Sequence, residues 1–465
     1  MATRPVSVQG VTSHSVTIVW HTAESTTVTV DYGRTTKYGH SARSKIATLE
    51  HAITLQRLEP GTKYYYRVRC GKESLYEGPE FHFRTTPGKN SRRFRFLVWG
   101  DSGKGNSSQY SLVPAMVKAG ADFMIHAGDV IYPDGETKDF DPKYFVPYQE
   151  FLRNTPVWLT PGNHDYHTQN AKPYLDAFHL PRNNPAGDER YYSFDYGQAH
   201  FVCVDTNQEF DQTFFDWLRE DLAATTTWKF VFMHHPPYSC GQHGSSHYVR
   251  NQLAALLETY DVDVVFAGHD HDYQRSHPLL HDEPVDMEMA PHFKDPRGVI
   301  YIVTGGGAGA RPTSADCRFT DVAISATHFS LLDIDGTRLT LRAIDSDGSV
   351  LDMFTIDKSP SGSGTNLASA SARAPARLLS NLPNPFNPLT VVRYELDEPQ
   401  AVRLAIYDPA GRMVRALHAG DRPAGIHRAL WDGRNTGGRR VSSGLYFVRL
   451  QVGSEQFTRK IILAK

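Results

Sequence analysis

The chain has 465 residues, a formal net charge of −2 at pH 7 and 40% hydrophobic residues. This length predicts about three domains, and the near-zero charge argues against nucleic acid as the main partner. No run of about 18 apolar residues is present, so we expect no transmembrane span.

Residues 1–87 are predicted to form an all-β sandwich. Segments such as Ser15–Trp20 and Tyr64–Arg69 alternate between apolar and polar residues, and turn residues separate these segments at short intervals. Within the region, Leu58–Tyr66 resembles the tyrosine-corner segment of fibronectin type III domains. The pattern therefore predicts a separate N-terminal domain.

Residues 92–357 are predicted to form an α/β domain whose strands end in polar side chains. Short runs rich in β-branched and aromatic residues alternate with helix-compatible stretches, such as Gln109–Ala119 and Tyr248–Thr259. This alternation implies a largely parallel sheet core, in which ligands collect at the carboxyl ends of the strands. Five segments that follow strand-like runs carry the polar groups: Gly100–Gly103, Gly128–Tyr132, Gly162–Asp165, Val231–His234 and Gly268–His271.

These five segments suit a pair of metal ions. Oxygen and nitrogen ligands in such numbers favour hard or borderline ions, and two-metal sites promote displacement at phosphorus. A single Gly-Asp or Gly-His pair usually marks a turn, but five such signals in this order point to one site. Together they resemble the metallophosphoesterase superfamily, and Tyr132, three residues after Asp129, resembles the purple acid phosphatases, which bind a ferric ion through a tyrosinate.

The resemblance implies an α/β metallophosphoesterase β-sandwich flanked by helices, with two metal sites that share Asp129. The first site would hold Fe(III), because a phenol with an ordinary pKa of about 10 ionises only beside a strongly Lewis-acidic ion. The second would hold a divalent Zn, Fe or Mn ion. The first metal's ligands would be Asp101, Asp129, Tyr132 and His271, and the second metal's Asp129, Asn163, His234 and His269.

The resemblance also implies how a phosphate ester would be cleaved. A metal-bound hydroxide would attack phosphorus, and His164, which directly follows Asn163, would protonate the leaving group as a general acid. Asp165 would orient His164, and His243 would contact the phosphate from the substrate side. His235 is expected to line the pocket, and residues 277–297 are expected to form a loop over it.

Residues 359–376 are predicted to be a linker, because their Ser-, Gly- and Ala-rich composition cannot form a core. Residues 377–465 are predicted to form another β-rich unit, since Val402–Asp408 and Gly444–Leu450 alternate with a period of two. This segment resembles the C-terminal immunoglobulin-like modules of exported bacterial enzymes, similar to the flagellar hook-capping type, some of which are sorting signals for secretion. The resemblance implies an all-β, immunoglobulin-like sandwich. An alternative is a plain spacer or stability domain.

These resemblances together imply a secreted or cell-surface bacterial acid phosphatase that hydrolyses small phosphate monoesters. Met1–Pro5 contains no apolar signal segment, so either the protein is cytoplasmic or a signal peptide was removed. The resemblance of the C-terminal segment favours a removed signal peptide and implies the export machinery as a partner of that domain. Two alternatives remain open: a phosphodiesterase for nucleotides or lipid headgroups, and a non-catalytic binding module. Four cysteines leave room for a bridge whose pairing the spacing does not predict: Cys70, Cys203, Cys240 and Cys317.

Overall fold

The computed structural model contains two compact units, Met1–Ser361 and Gly362–Lys465. Most of the predicted linker, residues 360–375, lies outside the residues that the structure describes. Within the described residues, no helix is both long enough and apolar enough to cross a membrane. The described residues are 2–224, 226–359, 376–382, 386, 388, 390–396, 399–423 and 425–464.

The first unit begins with a β-sandwich made of a three-stranded sheet and a five-stranded sheet. Inward-facing side chains of both sheets form one core, in which Trp20, Tyr66 and Phe83 are fully buried. The three-stranded sheet has the order β1-β2-β5, and the other has the order β4-β3-β6-β7 with β8 also paired to β6. The strands are β1 (Ala2–Gln9), β2 (Ser15–Thr26), β3 (Val28–Gly33), β4 (His40–Arg43), β5 (Thr48–Gln56), β6 (Lys63–Cys70), β7 (Glu73–Tyr76) and β8 (His82–Arg84).

This N-terminal sandwich packs directly against the rest of the first unit. The guanidinium carbon of Arg4 lies 4.1 Å from the ring centroid of Phe145. The hydroxyl of the buried Tyr66 donates a hydrogen bond to the carbonyl of Arg153 at 2.6 Å. Cation–π and buried hydrogen-bond contacts of this kind hold the N-terminal sandwich against the rest of the first unit.

The larger part of the first unit contains two seven-stranded sheets. Their orders are β11-β10-β9-β22-β23-β24-β19 and β12-β13-β14-β15-β20-β16-β21, and β17 and β18 form a separate hairpin. The strands are β9 (Arg93–Trp99), β10 (Phe123–His126), β11 (Val157–Leu159), β12 (Tyr192–Tyr196), β13 (Ala199–Val204), β14 (Trp228–Met233), β15 (Val264–Ala267), β16 (Tyr273–Ser276), β17 (Leu279–Leu280), β18 (Glu283–Pro284), β19 (His292–Lys294), β20 (Ile300–Thr304), β21 (Thr320–Ile324), β22 (His328–Asp335), β23 (Arg338–Asp345) and β24 (Val350–Asp357).

Helices connect several of these strands. A π-helical turn, Asp141–Phe145, joins the second helix to the third, and 3₁₀ turns cover Gln169–Ala171 and Met287–Met289. The α-helices are α1 (Ser107–Ala119), α2 (Thr137–Phe140), α3 (Val146–Leu152), α4 (Asn163–Tyr166), α5 (Lys172–Ala177), α6 (Gln212–Leu222) and α7 (His247–Thr259). The sheet-rich, multidomain fold predicted from the sequence is confirmed.

Aromatic side chains fill the space between the two seven-stranded sheets. Phe96 on β9 stacks on Phe123 on β10, with ring centroids 5.2 Å apart. Phe96 also meets the ring edges of Phe201 and Phe230 from the second sheet at 5.3 Å each. Each such pair contributes about 0.5–1.5 kcal/mol beyond its buried area, so this core holds the two sheets in a fixed relation.

The strands that precede the predicted ligands form parallel pairs, whereas most of the flanking strands pair in antiparallel fashion. β9, β10 and β11 are parallel neighbours, as are β13, β14, β15 and β20. β12, β16, β21, β22 and β23 pair in antiparallel fashion. The predicted parallel pairing therefore includes all the strands that carry the site, and it also joins β19 to β24 at the end of the first sheet. The carboxyl ends of the strands that carry the site converge at one edge of the two sheets.

Residues 277–297 form an anchored hairpin and an edge strand rather than an irregular loop. The hydroxyl of Tyr238 donates a hydrogen bond to Asp282 beside the β17–β18 hairpin. His281 lies 3.2 Å from the carboxylate of Glu258 on α7, and β19 is the edge strand of its sheet, paired with β24. The expectation of a loop at residues 277–297 is thus corrected, because the segment contains three short strands, two of which pair with each other and one with β24.

The second unit is a β-sandwich with its own core. Trp431, Leu404, Leu450 and Ile461 are fully buried in it. Its sheets have the orders β25-β26-β29 and β28-β27-β30-β31. The strands are β25 (Ala376–Leu382), β26 (Thr390–Leu396), β27 (Gln400–Tyr407), β28 (Met413–Arg422), β29 (Gly425–Trp431), β30 (Gly444–Val452) and β31 (Glu455–Leu463).

Candidate metal centre

Asp101 and Asp129 lie in the loops that follow the adjacent parallel strands β9 and β10. Both carboxylates are buried. Their backbones, and that of His269 after β15, are left-handed, with φ values of 59°, 51° and 71°. A residue with a side chain adopts this region at a cost of about 1–3 kcal/mol, and such residues cluster at functional sites.

Tyr132 connects the two carboxylates. Its hydroxyl donates to Asp129 Oδ2 at 2.8 Å and to Asp101 Oδ1 at 3.1 Å. His271 Nε2 is 3.1 Å from the same hydroxyl. Burial, together with the charges of Asp101 and Asp129, raises the pKa of Tyr132 well above its ordinary value, so the phenolate form requires a strong positive charge beside it. The four side chains predicted for the first metal are thus brought together.

His234 and Asn163 extend the cluster on the other side of Asp129. His234 Nε2 lies 3.3 Å from Asp129 Oδ1 and 3.0 Å from Asn163 Oδ1. His234 Nδ1 lies 3.0 Å from the carbonyl of Ala127, and a proton on Nδ1 leaves Nε2 free as a ligand atom. The ring of His269 packs against that of His234, with centroids 5.1 Å apart. The four side chains predicted for the second metal therefore also converge.

The histidines of the cluster are held in the neutral form that binds metals. Burial, reinforced by neighbouring imidazoles, lowers the pKa of His269 to about 2. Burial and the nearby cations Lys104 and Arg311 lower the pKa of His271 to about 3. A set of carboxylate, phenol, amide and neutral imidazole donors fits a pair of hard or borderline metal ions.

Two glycines allow this close convergence. A Cβ atom on Gly162 would lie 2.1 Å from the backbone nitrogen of Asp129, and one on Gly268 would lie 2.4 Å from Asp101 Oδ2. Any side chain at either position would therefore displace a candidate ligand. The glycines of these two motifs are required by the packing around the site.

His164 lies at the mouth of the cluster. Its backbone N–H donates to Asp129 Oδ1 at 2.9 Å, and its Nε2 is 3.9 Å from Asp129 Oδ2. Nδ1 is hydrogen-bonded to the carbonyl of Pro133. With Nδ1 held by a carbonyl, Nε2 is the atom left to carry a transferable proton into the site.

Asp165 has a different role from the one predicted. Its buried carboxylate makes no hydrogen bond to His164, whose ring is held by the Pro133 carbonyl instead. Burial and the charge of Asp129 raise the pKa of Asp165 to about 8. The expected orientation of His164 by Asp165 is therefore corrected: Asp165 ties together the two loops that carry Asp129 and Asn163, by accepting backbone N–H groups of Gly162, Val130 and Ile131.

His243 faces the second half of the cluster. Its ring centroid is 4.4 Å from that of His269, and its backbone N–H donates to Asp270 Oδ1 at 2.7 Å. The hydroxyl of Ser239 donates to the other oxygen of Asp270. Asp270 was not predicted from the sequence. Its position between the candidate ligands His269 and His271 is the signal that could have identified it.

His235 lies closer to the cluster than the sequence indicated. Ligand atoms of His234, His235 and His269 lie within 4.8 Å of one another, as do those of Asp101, Asp129 and His234. However, His235 Nδ1 is also 2.9 Å from the hydroxyl of Thr206. His235 therefore lines the pocket and has a competing partner for one of its two nitrogens.

A disulfide joins Cys240 to Cys317, with Cα atoms 5.9 Å apart and a sequence separation of 77 positions. Cys70 and Cys203 are free. The bridge ties the loop that carries His243 to the segment that precedes β21. The spacing of the cysteines did not predict this pairing, because only the tertiary fold brings the two loops together.

Three families match successive parts of the chain. Residues 4–85 match the purple acid phosphatase N-terminal domain, residues 94–273 match the calcineurin-like phosphoesterases, and residues 389–456 match the FlgD Ig-like domain. The first two matches cover the N-terminal sandwich and most of the strands that carry the site. The third falls within the second unit.

Individual proteins give the same picture. Purple acid phosphatase 23 of Arabidopsis thaliana is 28% identical over 308 residues, which are 57% of this chain and 64% of that protein. Acid phosphatase type 7 of Mus musculus is 27% identical over 345 residues, which are 65% of this chain and 75% of that protein. The chain thus spans less than two thirds of the plant protein's length.

A solved structure shares the fold. The purple acid phosphatase from yellow lupin (Lupinus luteus) seeds superposes with a TM-score of 0.67 at 21% identity. The superposition covers 77% of this chain and 74% of the lupin chain. At this identity, the likeness bears on the fold alone.

Proposed function

This chain is a calcineurin-like phosphoesterase with the N-terminal domain of the purple acid phosphatases, and from that premise we propose that it hydrolyses phosphate monoesters at a centre of two metal ions. One observation carries the proposal. Side chains from five separate loops meet around Asp129, with Tyr132 on one side and His234 on the other, at 2.8 Å and 3.3 Å. A carboxylate between two donor sets is the arrangement that a bridging ligand requires.

We assign Fe(III) to the Tyr132 side and a divalent Zn, Fe or Mn ion to the His234 side. The phenol and two carboxylates of the first set suit a hard trivalent ion, and the imidazoles and amide of the second suit a divalent one. When bound, the two ions would neutralise the phosphate oxygens and lower the pKa of a coordinated water molecule. The first set is Asp101, Asp129, Tyr132 and His271, and the second is Asp129, Asn163, His234 and His269.

The chain's own residues would supply the proton and the orientation. His164 Nε2 points into the site while Nδ1 is fixed by the Pro133 carbonyl, so a protonated His164 can deliver its Nε2 proton to the leaving oxygen. His243, held by Asp270 through its backbone, would donate a hydrogen bond to a phosphate oxygen. Asp165 holds the ligand loops in register and takes no part in proton transfer.

We further propose that the protein works outside the cytoplasm. Disulfides persist mainly in oxidising compartments, and the Cys240–Cys317 bridge lies next to the proposed active site. The match of the C-terminal unit to an Ig-like family is consistent with the predicted sorting domain at 377–465. In this proposal, the functional domains are residues 1–87, 92–357 and 377–465.

An assay of the metal-loaded protein tests the function. We expect faster hydrolysis of 4-nitrophenyl phosphate than of bis(4-nitrophenyl) phosphate, and loss of activity in Asp129→Asn because the bridging ligand is removed. A matched control is Asp176→Asn, which changes an exposed carboxylate paired with Lys172 on the surface. Faster diester hydrolysis would favour a phosphodiesterase, and an inactive protein that retains two metals would favour a binding module.

A further inference from the structure

Lys104 lies beside the first half of the proposed metal centre. Its ammonium nitrogen is 3.4 Å from His271 Nδ1 and 4.8 Å from the ring centroid of Tyr132. The side chain is half-buried, and its backbone N–H is held by the side-chain oxygen of Gln109 at 3.1 Å. Across the described part of the chain, no carboxylate lies within ion-pair distance of Lys104.

Arg311 places a second cation on the same side. Its backbone N–H donates to the carbonyl of His271 at 2.7 Å. Its guanidinium donates to the side-chain oxygen of Gln242 at 3.1 Å, next to His243 in the chain. Arg311 is exposed and, like Lys104, has no acidic partner among the residues described. Its guanidinium therefore lies beside the loop that carries His243.

Both cations are held on well-anchored loops. Cys317, six residues after Arg311, is bonded to Cys240, three residues before His243. Asp270 fixes the backbone of His243 from inside the fold. Lys104 follows Asp101 in the same loop, so its position is tied to a candidate ligand. Anchoring of this kind reduces the entropy that would be lost when a ligand is bound.

We infer that Lys104 and Arg311 form a second anion-binding subsite on the His271 side of the metal centre. This subsite favours substrates that carry a second phosphate group near the scissile phosphate. The inference rests on the proposed function and concerns its substrate class. The metal ions and the two histidines would hold one phosphate, which leaves these two cations without an anion. A second phosphate would accept charge-assisted hydrogen bonds from the ammonium and the guanidinium.

The reaction itself is ordinary hydrolysis. The oxygen of water bonds to the scissile phosphorus, the bond from phosphorus to the leaving oxygen breaks, and the leaving oxygen takes a proton. With inorganic pyrophosphate, the products are two phosphate ions. The subsite acts on binding and orientation of the leaving group, so Lys104 and Arg311 are specificity-determining residues.

The test compares substrates that differ in their second anionic group. Steady-state kinetics are measured for pyrophosphate, 3-phosphoglycerate and 4-nitrophenyl phosphate in the wild type, Lys104→Met, Arg311→Met and the double variant. Because a charge-assisted hydrogen bond contributes enough to change affinity about tenfold or more, kcat/KM for pyrophosphate should fall at least about tenfold in each single variant, mainly through KM. The value for 4-nitrophenyl phosphate should fall less than about threefold.

A binding measurement and a control variant accompany the kinetics. Calorimetric titration with methylenediphosphonate should show the same loss of affinity in the variants, while titration with inorganic phosphate should not. The control is Arg318→Met, since Arg318 is an exposed cation seven residues after Arg311 that already pairs with Glu283. Metal content is determined for every variant, because Lys104 touches two candidate ligands.

The outcomes separate this inference from the proposed function. Equal losses for pyrophosphate and 4-nitrophenyl phosphate at unchanged metal content would overturn the subsite while leaving the phosphatase proposal in place. A wild type that cleaves none of the esters would overturn the phosphatase proposal, and selective diphosphonate binding would then still support the subsite. A selective loss for 3-phosphoglycerate alongside pyrophosphate would support a subsite that accepts a carboxylate as well as a phosphate.

Discussion

At the scale of single residues, the site depends on side chains held in costly conformations. Asp101, Asp129 and His269 all have left-handed backbones, and two of them are carboxylates buried close together. Burial and the charge of Asp129 raise the pKa of Asp101 well above its ordinary value. Such a cluster is stabilised when cations neutralise it, so we expect metal removal to destabilise the first unit as well as to abolish activity.

Tyr132 gives a spectroscopic prediction. If its phenolate binds Fe(III), the protein should be pink to violet, and Tyr132→Phe should bleach it by removing the phenolate donor. The absorbance of the iron-loaded protein across the visible range measures the effect. Tyr166→Phe is the control, because its hydroxyl bonds to Asp205 outside the proposed ligand set. Undiminished colour in Tyr132→Phe would remove Tyr132 from the ligands.

His164 gives a prediction about proton transfer. His164→Ala should lower kcat by about 10² to 10⁴ for alkyl phosphates, whose leaving groups need a proton, and far less for 4-nitrophenyl phosphate. Metal content should not change, since the ring is held by a carbonyl outside the ligand set. His167→Ala is the matched control: His167 is an exposed neighbour that pairs with Asp134. Equal losses with both kinds of ester would indicate that His164 only binds the phosphate.

The sequence allowed most residues of the candidate site to be predicted, but it did not allow their contacts with other residues to be predicted. Asp101 and Asp129 could be predicted because each follows a buried strand in a Gly-Asp motif. The true partners of Asp165 and the role of Asp270 depend on contacts between loops that are distant in the chain. The same holds for Lys104, because its contact with His271 spans 167 positions.

At the scale of elements, the order of the strands decides which side chains meet. The carboxyl ends of β9, β10 and β11 in one sheet and of β14 and β15 in the other open toward a common edge. The sequence predicted these strands from their composition and their length. It did not predict the antiparallel flanks of the two sheets, because strand pairing is determined by long-range packing such as that of Phe96 against Phe201.

His200 links three elements through charge. It lies on β13, and its ring nitrogens are 2.8 Å from Asp195 on β12 and 2.9 Å from Asp221 on α6. Burial lowers its pKa, but the hydrogen bonds to the two carboxylates outweigh this effect and raise the pKa to about 9. The charged form is therefore favoured in the folded protein relative to the unfolded one.

This arrangement predicts a loss of stability at alkaline pH. Because the pKa of His200 is higher in the folded protein than in the unfolded chain, its contribution to stability is complete below about pH 6.5, the pKa of an unperturbed histidine. This contribution is lost as the pH rises through about 9, the pKa of His200 in the folded protein. In the wild type, urea unfolding followed by tryptophan fluorescence should show a loss of roughly 1–3 kcal/mol between pH 6 and pH 10. His200→Gln should be less stable at pH 6 and should show a flatter pH dependence.

The control for this experiment is His14→Gln, an exposed histidine in the N-terminal sandwich. It should retain the alkaline loss of the wild type. If His200→Gln and the wild type lost equal free energy between the two pH values, the network of His200 with Asp195 and Asp221 would not be the source of the pH dependence.

At the scale of the whole molecule, the chain combines a catalytic unit with a separate sandwich. Residues 1–361 form one unit in which the N-terminal sandwich contacts the catalytic sheets through Arg4 and Tyr66. The C-terminal sandwich has an independent core around Trp431. Each unit therefore has a hydrophobic core of its own.

The central claim is a pair of metal ions bridged by Asp129, and anomalous X-ray scattering from crystals of the metal-loaded protein tests it most directly. Data collected on both sides of the iron absorption edge should reveal two peaks about 3.5–4 Å apart. Both peaks should contact Asp129, and the iron should be on the Tyr132 side. A single peak, or two peaks that do not share Asp129, would contradict the account.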